Sequence, residues 1–192
     1  ADLDAPATQA RTEAQAAPTP RFELRPDPRL DPIDPRQLAP LHGREATLAR
    51  LADAGVPVVV HCGGGPVPGP HTGPGPFGEV LARHPSLTAV IAHMGMPEYA
   101  EFLDLADRYD RVHLDTTMAF TDFTEARMPF PPDLRPRLLA LGDRVVLGSD
   151  FPNTPYVYAH QLEALVRLEL GDDWLRGVLH DNGARLLGLP AR

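Results

Sequence analysis

The chain has one cysteine, Cys62, in 192 residues, which excludes an internal disulfide and fits a reducing compartment. No run of about 18 apolar residues occurs, so the pattern offers nothing to span a membrane. The first residues, Ala-Asp-Leu-Asp-Ala-Pro, lack the basic start and apolar stretch of a secretory signal. A cytoplasmic location is therefore expected. Basic residues are also few: 18, all arginine and scattered, against 26 acidic ones, for a net charge of -8 and a pI near 5.4. A surface that neutralises phosphates needs clustered cations, so no nucleic-acid partner and no membrane partner is expected.

What is present suits one globular domain: 43% hydrophobic and 23% charged residues, over a length that fills one core rather than two. Residues 1–40 stand apart. They hold Pro6, Pro18, Pro20, Pro26, Pro28, Pro32, Pro35 and Pro40 with few large apolar groups to offset the entropy of ordering. The expectation is a flexible proline-rich leader over 1–40 and a folded domain over 41–192. A weak alternation at Arg21–Arg25 is the one strand-like stretch in the leader, and the prolines that follow would end it.

From residue 41 the pattern becomes regular. Leu41, Leu48, Leu51 and Ala52 fall at helical spacing over 41–54, and Gly55 and Pro57 close that helix. Val56–Val60 is continuously apolar, as in a parallel strand covered on both faces. Helices are expected over 77–83, 98–108, 134–141, 158–170 and 173–187, with strands over 87–92, 112–115 and 144–147.

Strand and helix thus alternate four times. The intervals His61 to His93, His93 to Asp115 and Asp115 to Asp150 are 32, 22 and 35 residues. A complete (β/α)₈ barrel uses about 31 residues per unit. The fold class expected is α/β, a TIM-barrel-type fold that is incomplete at about four βα units. A small open parallel sheet with helices on both faces is the alternative, and it puts the same residues on the same rim.

Three segments carry chemistry to that rim. Val58-Val59-Val60-His61-Cys62-Gly63 and Val90-Ile91-Ala92-His93-Met94-Gly95 are apolar runs that end in histidine and break at glycine, and Val145-Val146-Leu147-Gly148-Ser149-Asp150 ends in a carboxylate. Two imidazoles and one carboxylate are donors that a catalytic zinc site uses while leaving a position open for water. Either histidine alone reads more simply as a structural residue, but two at equivalent strand ends with a carboxylate at a third favour a metal. The cofactor expected is a divalent metal, Zn2+ first and Mn2+ second.

Taken in order, Pro57–Gly63, Ile91–Gly95, Val112–Thr117, Val146–Pro152 and Asn182–Leu189 resemble the C-terminal half of amidohydrolase-related proteins. This branch of the amidohydrolase superfamily includes aminocarboxymuconate semialdehyde decarboxylase, resorcylate decarboxylase and pyrone-dicarboxylate lactonase. The resemblance covers residues 45–189. It implies that His61, at the end of barrel strand five, is a metal ligand, and that His93, at the end of strand six, orients or activates water or substrate. It further implies that Asp150, at the end of strand eight, binds the metal and shuttles the proton, while Asn182–Arg185 packs the closing turn. Members of the family also begin with a His-x-His pair on strand one, and this sequence contains none. Strands one to three, and strand four with them, have no counterpart.

In a flat sheet, strands five and eight end roughly 14 Å apart at about 4.8 Å per spacing, so curvature is needed for a shared ion. Unpaired sheet edges invite association, and a homo-oligomer closing the barrel is conceivable. The loop 63–75 leaves strand five above the site, and it lacks the spacing of a phosphate loop. His71 in that loop is a substrate-contact candidate. Cys62 reads as a small buried apolar residue. Asp115 reads either as an outer support for a ligand or as a turn former. His113, His84, His160 and His180 read as structural or surface residues. Met118, Phe120, Phe123, Met128 and Phe130 read as core before they read as a lid.

The function expected is a metal-dependent hydrolase of the amidohydrolase-related type, acting on a small carboxylated or cyclic substrate through a metal-activated water. A decarboxylase on the same scaffold and a truncated, non-catalytic relative are the alternatives.

Overall fold

Four apolar runs separated by amphipathic stretches become four parallel strands in a computed structural model that describes residues 44–190. The proline-rich segment 1–40 lies outside the described residues, as does the strand-like stretch at Arg21–Arg25. The elements run α1 (Arg44–Ala54), β1 (Val58–Val60), α2 (Pro74–Arg83), β2 (Ala89–Ile91), α3 (Tyr99–Arg108), β3 (Val112–Asp115), α4 (Asp122–Glu125), α5 (Arg135–Ala140), β4 (Val145–Val146), α6 (Tyr158–Val166), α7 (Asp172–Arg176) and α8 (Asn182–Leu186). The sheet order is β1-β2-β3-β4, all parallel. No described helix is long and apolar enough to cross a membrane.

Register explains which residues face which way. Val60, Ile91, Leu114 and Val145 align across the sheet, as do Val59, Val90 and His113 one residue earlier. Because side chains alternate along a strand, the first row shares a face with Ala89 and Val112, which pack in the core with Phe77, Leu81, Phe102 and Leu138. Ile91 and Leu114 are fully buried there, each worth about 2 kcal/mol of hydrophobic stabilisation. Helix α3 reaches this face because Tyr99, Phe102, Leu103 and Ala106 recur at helical spacing and are all buried.

The second row faces the other way. The expectation that residues 56–60 are covered on both faces fails here, since Val59 is 66% exposed. The strand lies at the sheet margin, and nothing among the described residues covers its second face. Strand β2, flanked on both sides, is buried throughout. Other differences are local. The helix expected over 158–170 ends at Val166, followed by a left-handed Glu169 (φ 55°) and Gly171 (φ 94°). The α4 turn was not expected, because its four residues are too short for periodicity to register. The last expected helix is instead α7, a π-helical stretch Gly177–Asp181, and α8.

Side-chain ties hold the layers. Asn182, 3% exposed, donates through Nδ2 to the carbonyls of Gly142 and Val145, both at 2.7 Å, which pins α8 to the start of β4. Trp174 Nε1–H donates to the Leu138 carbonyl at 3.3 Å. Arg137 bridges Asp104 at 2.8 Å and Asp107 at 2.6 Å on α3. His84, at the C-terminus of α2, pairs with Glu45 of α1.

Among the described residues, His113 is the exception to this satisfaction. Its Nδ1 is buried without a hydrogen-bond partner, and burial, followed by the nearby Arg144 charge, holds its pKa below the ordinary value. The fold thus favours the neutral ring while the unfolded chain binds a proton near pH 6.5. Stability from this group is present above about pH 6.5 and falls as pH drops from there toward the lowered folded value. Urea unfolding between about pH 7.5 and pH 5 should show this loss, and His113→Gln should flatten it. An unchanged slope in the variant would assign the acid sensitivity elsewhere.

Candidate active site

The C-terminal ends of β1 and β2 are held unusually close. A Cβ on Gly63 would strike the Met96 carbonyl oxygen and sit 2.7 Å from the Gly95 carbonyl carbon, so only glycine allows this approach. Gly64 N–H donates to Glu98 Oε2 at 2.8 Å, and Gly65 N–H to the Met96 carbonyl at 3.1 Å. These contacts set the rings of His61 and His93 edge-on, with centroids 4.8 Å apart and planes at 70°. Each glycine of the repeated histidine-x-glycine ending therefore has its own packing cause: Gly63 admits the loop after β2, and Gly95 admits the Phe102 ring of α3.

His93 follows β2 within the turn Ala92–Gly95 and adopts the left-handed region at φ 58°, ψ 30°. A non-glycine residue there costs roughly 1–2 kcal/mol. Asp115, at the end of β3 and 6% exposed, offsets this: its Oδ1 accepts the His93 backbone N–H at 2.9 Å and the Thr117 N–H at 2.9 Å. The His93 ring is nearly buried, and its Nδ1 meets the Thr117 carbonyl at 3.1 Å.

Asp150 was expected at the immediate end of its strand. Instead β4 ends at Val146, and Leu147–Asp150 continue as irregular chain. Gly148 in that stretch packs against Thr117 Oγ1 and, at 2.8 Å from its would-be Cβ, the Asp115 carboxyl carbon. Asp150 is also left-handed, at φ 55°. Strained backbone of this sort gathers at functional sites. The Asp150 side chain is half exposed, and its Oδ2 stands 3.9 Å from His93 Nε2, an ion-pair distance beyond hydrogen bonding.

The structure thus brings His93 to Asp150 and His61 to His93. The donors fit a divalent ion in kind, being two imidazoles and one carboxylate. In number they fall short. Among the described residues no three His, Cys, Asp or Glu side chains are grouped to hold an ion, and the His61 Nε2 faces the Gly65 carbonyl at 2.9 Å. A carbonyl only accepts, so that nitrogen carries the proton and Nδ1 remains as the donor to a metal.

The remaining expectations sort by exposure. Cys62 is 4% exposed, and burial, with the Glu98 charge second, pushes its thiol up to about 12. It is protonated and inert at neutral pH. His71 is exposed on the loop. His160 lies 3.8 Å from Asp122, and the exposed His180 sits 2.7 Å from Asp181. Phe120 and Phe130 are buried and edge-on at 5.1 Å, as core should be, whereas Phe123 is 41% exposed beside Tyr156 and Arg127.

Sequence reasoning missed Glu98 and Gln161. Gln161, fully buried on α6, donates to the Thr116 and Ala119 carbonyls and accepts from Met118 N–H and Tyr156 OH, tying α6 to the chain beyond β3. Its only signal was spacing, since Gln161 falls three and four residues before Ala164 and Leu165 on the buried face of α6. A cleft of about 550 Å³ is at the opposite, N-terminal end of the strands beside Thr88, His113 and Arg144. In barrels that end serves stability, so the three-residue rim is the better site.

Comparison with known proteins agrees with this architecture. No curated protein matches. Among solved structures, an uncharacterised TIM-barrel protein, Bb4693 from Bordetella bronchiseptica, is 28% identical with a TM-score of 0.63, over 74% of this chain and 49% of that one. Amidohydrolase 2 from Bifidobacterium longum subsp. infantis is 15% identical with a TM-score of 0.54, over 76% and 54%. A probable 2-pyrone-4,6-dicarboxylic acid hydrolase from Acinetobacter baumannii is 16% identical with a TM-score of 0.51, over 76% and 57%. The chain therefore spans about half the length of the barrels it resembles, and its four-stranded parallel sheet is a partial TIM barrel. The Amidohydrolase family profile matches residues 1–189, running through the proline-rich segment as well as the described fold. On that match, and on the order of its strand-end residues, the chain belongs to the amidohydrolase family, in its amidohydrolase 2 branch.

Proposed function

We propose that this chain carries the C-terminal half of a hydrolytic site that opens a small carboxylated or cyclic substrate, the class suggested by the pyrone-dicarboxylic acid hydrolase among its structural neighbours. The observation that carries the reading is the approach of His93 Nε2 to Asp150 Oδ2, 3.9 Å apart on two left-handed backbone turns at one rim. That gap admits a bridging water or substrate oxygen better than a direct bond. Asp150, half exposed, takes a proton from the attacking water and returns it to the leaving group. His93, held rigidly, orients the electrophile. His61 and Asp150 would hold a divalent ion, Zn2+ or Mn2+. When bound, such an ion lowers the pKa of water to about 7 and polarises a carbonyl; the amidohydrolase superfamily is generally metal-dependent.

The test is to load the purified protein with Zn2+ or Mn2+, remove excess by gel filtration, and assay carboxylated lactones and cyclic amides for acid and carbon dioxide. Near-stoichiometric metal with acid release alone is the expected result. Carbon dioxide release would make the enzyme a decarboxylase. Neither retained metal nor turnover would leave a folded relative without catalysis.

A further inference from the structure

The end of β3 does more than follow a strand. Asp115 Oδ1 accepts two backbone N–H groups at 2.9 Å, one from His93 and one from Thr117. The carbonyl of that same Thr117 lies 3.1 Å from His93 Nδ1. A carbonyl oxygen has no proton to give, so Nδ1 must be the protonated nitrogen of the neutral ring. The lone pair is then on Nε2, the atom that faces Asp150 at 3.9 Å. On the other side, Gly148 packs against the Asp115 carboxyl and Thr117 Oγ1, and its N–H donates to Thr116 Oγ1 at 3.2 Å. Asp115–Thr117 therefore joins the His93 turn on one flank to the Asp150 segment on the other.

We propose that Asp115 and Thr117 are positioning residues that lock His93 in its Nδ1–H tautomer, with the Nε2 lone pair turned toward Asp150. The carboxylate acts at one remove: it fixes the left-handed backbone of His93 and the peptide of Thr117, and that peptide fixes the ring. A neutral side chain at 115 accepts two N–H groups less strongly than a carboxylate does. The ring then loses its fixed partner and samples both tautomers. The inference rests on the reading above only for what Nε2 does; the tautomer itself is independent of any activity.

The experiment is long-range 1H–15N correlation on histidine-labelled protein, at a pH above the ordinary histidine range so that rings are neutral. The His93 signals are assigned by their loss in His93→Asn. Wild type should show the Nδ1–H pattern alone, and Asp115→Asn, with its fold intact by circular dichroism, should show a mixture with the Nε2–H form. A wild-type ring in the Nε2–H form overturns the proposal, as does a folded Asp115→Asn with an unchanged pattern. Should that variant fail to fold, the wild-type spectrum decides. A locked Nδ1–H ring in a protein without turnover would sink the hydrolase reading and leave this inference standing.

Discussion

His93→Asn is expected to lower kcat/KM for the proposed hydrolysis by about two to four orders of magnitude, the range spanned by a single acid–base group. Asparagine is chosen because the position is left-handed, at φ 58°, and asparagine visits that region more readily than most residues. The backbone N–H to Asp115 survives the change, so the turn should survive with it. What disappears is the imidazole that faces Asp150 and lies edge-on to His61. The expected signature is therefore a large fall in turnover with little change in the thermal unfolding midpoint. A variant that keeps more than about a tenth of the wild-type rate would place His93 outside the chemistry, since that loss is below any catalytic proton-transfer role.

Gly63→Ala is expected to destabilise the fold by about 3 kcal/mol, at the upper end of what overpacking costs. The new methyl group meets backbone rather than the end of a flexible side chain: the Met96 carbonyl oxygen, with the Gly95 carbonyl carbon at 2.7 Å. Neither can rotate away. Relief requires the β1 and β2 loops to separate, which strains the Gly64–Glu98 and Gly65–Met96 hydrogen bonds and moves His61 from His93. Denaturant unfolding reads the first effect and loss of metal retention the second. Gly75→Ala is the control, since its added carbon meets nothing within 4 Å and it lies in the first turn of α2. Equal midpoints for the two variants would mean that the loops are less tightly apposed than the distances say.

Strand and helix alternation was legible in the sequence because each buried strand is a run such as Ala89–Ile91 and each covering helix repeats its apolar residues at helical spacing, as in Tyr99–Arg108. The family resemblance was legible for the same reason, through short words at strand ends. Val59 was misread because a continuous apolar run looks alike at the middle and at the margin of a sheet. The parts of the site that escaped notice are those made across the chain. The acceptance of the His93 N–H by Asp115 spans 22 residues, and the Gln161–Thr116 bond spans 45. No local pattern encodes either. Nor does composition foretell that His93 and Asp150 take left-handed backbone, because that conformation is imposed by what each loop packs against.

Cys62 gives the molecule a practical property. Its thiol is shut away from solvent and held in the unreactive form, so the protein offers a chemically silent background for site-directed dyes. A cysteine introduced at Val67, 78% exposed on the loop after β1, or at Phe151, 64% exposed beyond β4, would be the only address a maleimide finds under native conditions. With a cysteine at each position, a donor and an acceptor dye would sit on the loops after β1 and β4, and energy transfer between them would report the distance across the rim.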